Sequence, residues 1–146
     1  MSNPGPAVTS SIHPSVVDSA QTLRVIAVKK GLSVAALGDT VVQVNNSSLF
    51  VPTSVVIANG VGSTGAAVDV SAVNFGVYTA KAKGGTAVLT AAALTSNTGA
   101  PYVTVSAAST PNTAETVQTL YFNVSVATAA ATVDVYVYGY DLSVSA

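Results

Sequence analysis

The sequence predicts an all-β domain, a sandwich or a barrel, and three observations carry that expectation. Short runs rich in Val, Thr, Ala and Tyr recur about every 8–15 residues, with turn-forming Gly, Asn, Asp, Ser and Pro between them. Two of the runs alternate apolar and polar side chains at the two-residue period of a strand. Helix is a minor component at most, since the Ala-rich pieces at 91–93 and 127–131 are flanked by Thr and Val and suffice for a turn each.

In order, the strand runs are 22–29, 32–37, 40–45, 49–58, 67–72, 75–80, 86–91, 101–107, 117–127 and 132–144. Breakers separate them: Gly31, Gly38-Asp39, Asn45-Asn46-Ser47, the stretch 59–65, Gly84-Gly85, Asn97-Thr98-Gly99 and the stretch 109–112. The first strongly patterned run is LYFNVSVA. Leu120, Phe122, Val124 and Val126 face one way and Tyr121, Asn123 and Ser125 the other, which predicts a central strand. The second is TVDVYVYGYDL, where Val133, Val135 and Val137 form an aliphatic face and Asp134, Tyr136, Tyr138 and Tyr140 the opposite one. About five residues separate the two runs, a spacing that predicts an antiparallel hairpin.

The chain has 146 residues, room for one domain of common size. Residues 1–20 read as an extended Pro/Ser-rich arm, because Pro4, Pro6 and Pro14 deny helix; residues 21–146 read as the β domain. There is no Cys, so neither a disulfide nor a thiolate metal site is available. Charged residues make 8% of the chain, against about 25% in ordinary soluble domains, and the net charge is −1. So weak a field, with Arg24, Lys29, Lys30, Lys81 and Lys83 scattered, argues against nucleic acid as a partner. Segment 84–114 carries no charge, yet polar residues interrupt it before it reaches the roughly 20 apolar residues of a spanning helix. The opening MSNPGPAVTSSIHPS lacks the basic and apolar regions of a signal peptide, so the expectation is a soluble protein, away from membranes and made in the cytoplasm.

Catalysis needs converging acids, bases or nucleophiles, and the inventory is thin. His13, the sole imidazole, stands in the arm beside Pro14, and no G-x-S-x-G elbow accompanies it and Asp18. Asp18, Asp39, Asp69, Glu115, Asp134 and Asp141 are scattered, which leaves a loop calcium ion, held partly by backbone carbonyls, as the one metal alternative. Asp39 reads as a turn residue, and stretch 59–65 lacks the Gly-Lys-Ser/Thr of a phosphate loop. Asn-x-Ser sequons at Asn45, Asn46 and Asn123 are chance matches without a secretory signal. No catalytic, cofactor-binding or metal-ligating residue is therefore expected. The constellation with content is Tyr136, Tyr138 and Tyr140, spaced about 6.8 Å apart on one strand face. Three readings fit them: a face covered by the domain's own loops, a subunit or capsid interface, or a stacking platform for sugars.

Three stretches carry a resemblance: LFVPTSVVIANG (49–60), FGVYTAKAKGGTAVLTAAAL (75–94) and TLYFNVSVATAAATVDVYVYGYDLS (119–143). Their order, with the PT-x-VV, Y-T-A-x-x-K-G-G-T-A and A-A-T-x-D-V-Y-x-Y-G-x-D-L patterns, resembles small head decoration or cement proteins of tailed bacteriophages over about residues 31–143. The resemblance implies a jelly-roll-like antiparallel sandwich of about eight strands, acting as a non-enzymatic structural virion protein. It implies a homotrimer on the outer surface of an expanded capsid, assembled in the host cytoplasm, with the major capsid protein as partner. The arm has no counterpart in those motifs. A carbohydrate- or receptor-binding module of a phage tail or head fibre is the alternative.

Overall fold

The computed structural model describes residues 23–95, 103–128 and 130–143. The arm expected at 1–20, with His13, lies outside the described residues. Eight strands form: β1 (Leu23–Ser33), β2 (Gly38–Gln43), β3 (Phe50–Gly62), β4 (Asn74–Ala80), β5 (Gly84–Ala93), β6 (Val103–Ala107), β7 (Thr119–Val126) and β8 (Ala131–Asp141). They make two four-stranded sheets, ordered β1-β8-β3-β6 and β2-β7-β4-β5, with antiparallel neighbours throughout. Apart from the β4–β5 hairpin, every connection crosses from one sheet to the other. That winding is a jelly roll, the antiparallel sandwich the sequence leads one to expect.

The period-two pattern does what it should. Along β8 the residues alternate between buried and part-exposed, with Val133, Val135 and Val137 fully buried. Across the core stand Leu120 and Phe122, also fully buried, and Val124; Phe122 meets Phe75 edge to face with ring centroids 5.9 Å apart. Phe50, Ile26, Ile57, Val55 and Val77 belong to the same core. Each such side chain contributes about 1.5–3 kcal/mol on leaving water.

β7 and β8 do not form the expected hairpin. They are central strands of different sheets, so their apolar faces meet across the sandwich instead of lying side by side. The connection between them is tied to the β1–β2 crossover: Thr128 N donates to Val34 O at 3.0 Å, and Val34 N to Ala131 O at 3.0 Å. The chain is thereby led over to the second sheet. Val126, expected inward with Leu120, is 45% exposed at the strand's end.

Ten runs become eight strands because one breaker is a bulge that joins two runs and run 67–72 forms no strand; a second breaker is a bulge that lengthens β3. Gly31 (φ 62) lies within the register shift between Lys29 and Leu32, and β1 continues past it. Asn59 (φ 56) and Gly60 lie within the shift between Ala58 and Val61, and β3 continues to Gly62. Run 67–72 forms no strand, only a bridge from Ala67 to Val61, and 91–93 stays extended in β5. The β4–β5 turn has Ala82 (φ 54) and Lys83 (φ 62) at its centre, closed by Gly84 N to Lys81 O at 3.0 Å. This is a primed turn built without glycine at its central positions. Asp39 supports it by accepting from Ala82 N at 2.7 Å, while its other oxygen accepts from Asn123 Nδ2 at 2.6 Å. Those bonds, with Lys81 nearby, outweigh desolvation and hold the Asp39 carboxyl below its usual range.

A second carboxylate clasps the two ends of the described chain. Arg24 Nη1 lies 2.7 Å from Asp141 Oδ2, and Ser47 Oγ donates to Asp141 Oδ1 at 2.7 Å. Burial by itself would raise the Asp141 carboxyl. The Ser143 hydroxyl and amide, Ser47 and the Arg24 charge outweigh it and leave the group lowered.

Val135→Asp puts an unpaired charge in the core. It should abolish the cooperative unfolding transition in circular dichroism, while the outward Thr132→Ser leaves that transition in place. Because Asp39 and Asp141 are lowered in the folded state, their contribution is complete above the unfolded carboxylate value of about 4 and is lost as pH falls through the folded values. Urea melts below about pH 4 should therefore show falling stability. Asp141→Asn should remove part of that slope and cost about 1–3 kcal/mol at neutral pH.

Candidate functional site

The tyrosine row points away from the core. It runs along the outer face of the β1-β8-β3-β6 sheet, where Tyr136 and Tyr138 are part-exposed and Tyr140 is 44% exposed. Cross-strand pairing extends the row into a surface, because residues directly opposite in an antiparallel ladder share a face. Tyr140 stands between Leu23 and Val51, Tyr138 between Val25 and Ser54, and Tyr136 between Val28 and Val56. On the far side of β3, Ser54 pairs with Ala107 and Val56 with Val105. Leu23 is 53% exposed and Val105 65%.

Gly139 interrupts the inward series of valines for a steric reason. A Cβ there would stand 2.5 Å from Val51 O and 3.1 Å from Ile26 Cγ1, so only glycine lets β8 pass the β3 bulge between Pro52 and Ser54. The tyrosines on either side keep their outward aim because the strand continues straight through that contact.

Asp134, at the head of the row, is engaged. Its Oδ1 accepts from Gly31 N at 2.8 Å and its Oδ2 from Asn59 Nδ2 at 2.8 Å, linking β1, β8 and β3. The rest of the row presents rings, hydroxyls and aliphatic carbons. Such a surface gives up little on being dried, provided each phenol finds a hydrogen-bond partner.

The opposite sheet differs. Tyr78 is buried on the outer side of β4, its ring folded over Gly76 and its hydroxyl accepting from Ala91 N at 3.1 Å. Tyr78 and Tyr121 are register partners across β4 and β7, a pairing that period-two reading of β7 alone does not reveal.

Among the described residues no group of three or more His, Cys, Asp or Glu comes together that could hold a metal ion. Asp39, Asp134 and Asp141 serve the separate hydrogen-bond networks described above. A shallow cleft of about 200 Å³ at the β8 N-terminal end is lined by Ser33, Ala35, Gly62, Ser63, Ala130, Ala131 and Thr132, without a charged group. No helix among the described residues is long and apolar enough to cross a membrane. The chain matches no protein-family model, no curated protein and no solved structure.

The outward placement separates ladder from core in a testable way. Tyr136→Ser with Tyr138→Ser should leave a folded chain with a cooperative thermal transition and an unchanged β-type circular dichroism spectrum. Complete loss of that transition would mean that the rings support the fold.

Proposed function

We propose that this chain is a structural virion protein, a decoration or cement protein that joins its neighbours through the outer face of the β1-β8-β3-β6 sheet. The observation that carries this reading is the face itself: three tyrosines in register with mostly aliphatic neighbours on β1 and β3, Tyr136 and Tyr138 part-exposed and Tyr140 exposed. Contiguous exposed apolar surface on a soluble domain marks interaction sites, and tyrosine is enriched in their cores. The resemblance of segments 49–60, 75–94 and 119–143 to phage head proteins supplies the partner, the major capsid protein, and the homotrimeric state.

The proposed mechanism follows from the chemistry of the face. Copies with a net charge of −1 repel one another weakly, which suits dense packing on a shell. Each contact removes rings and aliphatic carbons from water, and repetition over the lattice multiplies a modest affinity. A shell bridged in this way must lose those contacts before it can open under internal pressure.

Light scattering on the purified chain should report a trimer, and the chain should co-sediment with expanded phage heads. The Tyr136/Tyr138 double serine variant should remain folded yet bind heads at least about 30-fold more weakly, given the about 2 kcal/mol or more carried by an interface hot spot. Monomer that never sediments with heads contradicts the proposal. Normal head binding with lost affinity for a host glycan would instead assign the row to sugar stacking.

A further inference from the structure

We propose that Asn59-Gly60 is a latent deamidation site that Asp134 restrains in the folded chain. Asn-Gly is the dipeptide most prone to this reaction, because glycine has no side chain to hinder attack by its own amide nitrogen. The sequence contains it once; the Asn residues at 3, 45, 46, 74, 97, 112 and 123 are each followed by a residue with a side chain. Asn59 is exposed on the β3 bulge in the left-handed region (φ 56), a conformation asparagine tolerates better than most residues.

The reaction would proceed without any cofactor. The Gly60 amide nitrogen, having lost its proton to solvent base, bonds to Asn59 Cγ and expels the carboxamide nitrogen as ammonia, closing a succinimide ring. One water then opens the ring at either carbonyl and leaves aspartate or isoaspartate. The balance is one water consumed and one ammonia released, with no change of oxidation state.

In the folded chain the Asn59 carboxamide is held by a partner. Its Nδ2 donates to Asp134 Oδ2 at 2.8 Å, and Asp134 is itself fixed by the Gly31 N–H at 2.8 Å. Attack therefore requires breaking a charge-assisted bond that spans adjacent strands. Local opening of the bulge supplies the opportunity. Once the conversion has occurred, a carboxylate would replace the donor and face Asp134 directly, and like charges across strands are destabilising. The restraint is thus lost for good, and a negative charge is added beside the head of the tyrosine row. The site stands whatever that row binds.

The test is peptide mass mapping of the full chain, aged in mildly alkaline buffer at physiological temperature, with isoaspartate quantified at each Asn. The expected result is slow conversion at Asn59 in the native protein and several-fold faster conversion in urea, where the Asp134 bond is absent. Asp134→Ala under native conditions should also speed conversion several-fold, and Asn59→Asp should lower the melting temperature. Equal rates at Asn59 in native and unfolded protein would overturn the proposal, as would conversion led by another Asn.

Discussion

Strict alternation along β8 is the constraint on which the remainder of this structure rests. β8 is paired on both sides, with β1 and with β3, so its division into an inward and an outward face sets the register of three strands together. A slip of one residue would send Tyr136 and Tyr138 into the core and Val135 and Val137 into water. Burial of the valines forbids that slip, and the same burial holds the tyrosines outward. The outward face of tyrosines is thus a by-product of core formation.

Register has to be kept over eleven residues of a twisted strand, and the bulges make this possible. β1 shifts between Val25 and Ala27 and again between Lys29 and Leu32, while β3 shifts at Pro52 to Ser54 and at Ala58 to Val61. β8 itself runs without a shift against the part of each neighbour that lies between bulges. Gly139 permits the closest approach at one of these points, and Asp134 ties down two others by bonding Gly31 and Asn59. Near the end of the strand, Asp141 joins Arg24 and Ser47, so the strand is anchored close to both its ends.

Much of this was legible in the sequence because a two-residue period leaves a direct trace. The inward sets Val133, Val135, Val137 and Leu120, Phe122, Val124 could be read from alternation alone, as could the outward tyrosines and the central position of β7. What alternation cannot show is which sheet a strand joins. A short gap between β7 and β8 suits a hairpin and a crossover equally, and the difference lies in main-chain bonds from Thr128 and Val34 to residues remote in sequence. Glycine and asparagine were similarly ambiguous: the signals that end a strand also make a bulge, so Gly31 and Asn59-Gly60 read as breaks. Gly84-Gly85 marked the β4–β5 turn, but nothing local marked Ala82 and Lys83 as its centre, since its support comes from Asp39, 43 residues away from Ala82. The networks of Asp134 and Asp141 were hidden for the same reason.

The central claim is that this outward face is where the chain meets its neighbours. Hydroxyl-radical footprinting of Tyr136, Tyr138 and Tyr140, in the free chain and on decorated heads, tests it most directly. The account predicts that all three tyrosines react in the free chain and become protected on the head, while the buried Tyr78 reacts little in either state. Equal reactivity of the three in both states, on heads shown to carry the protein, would contradict it.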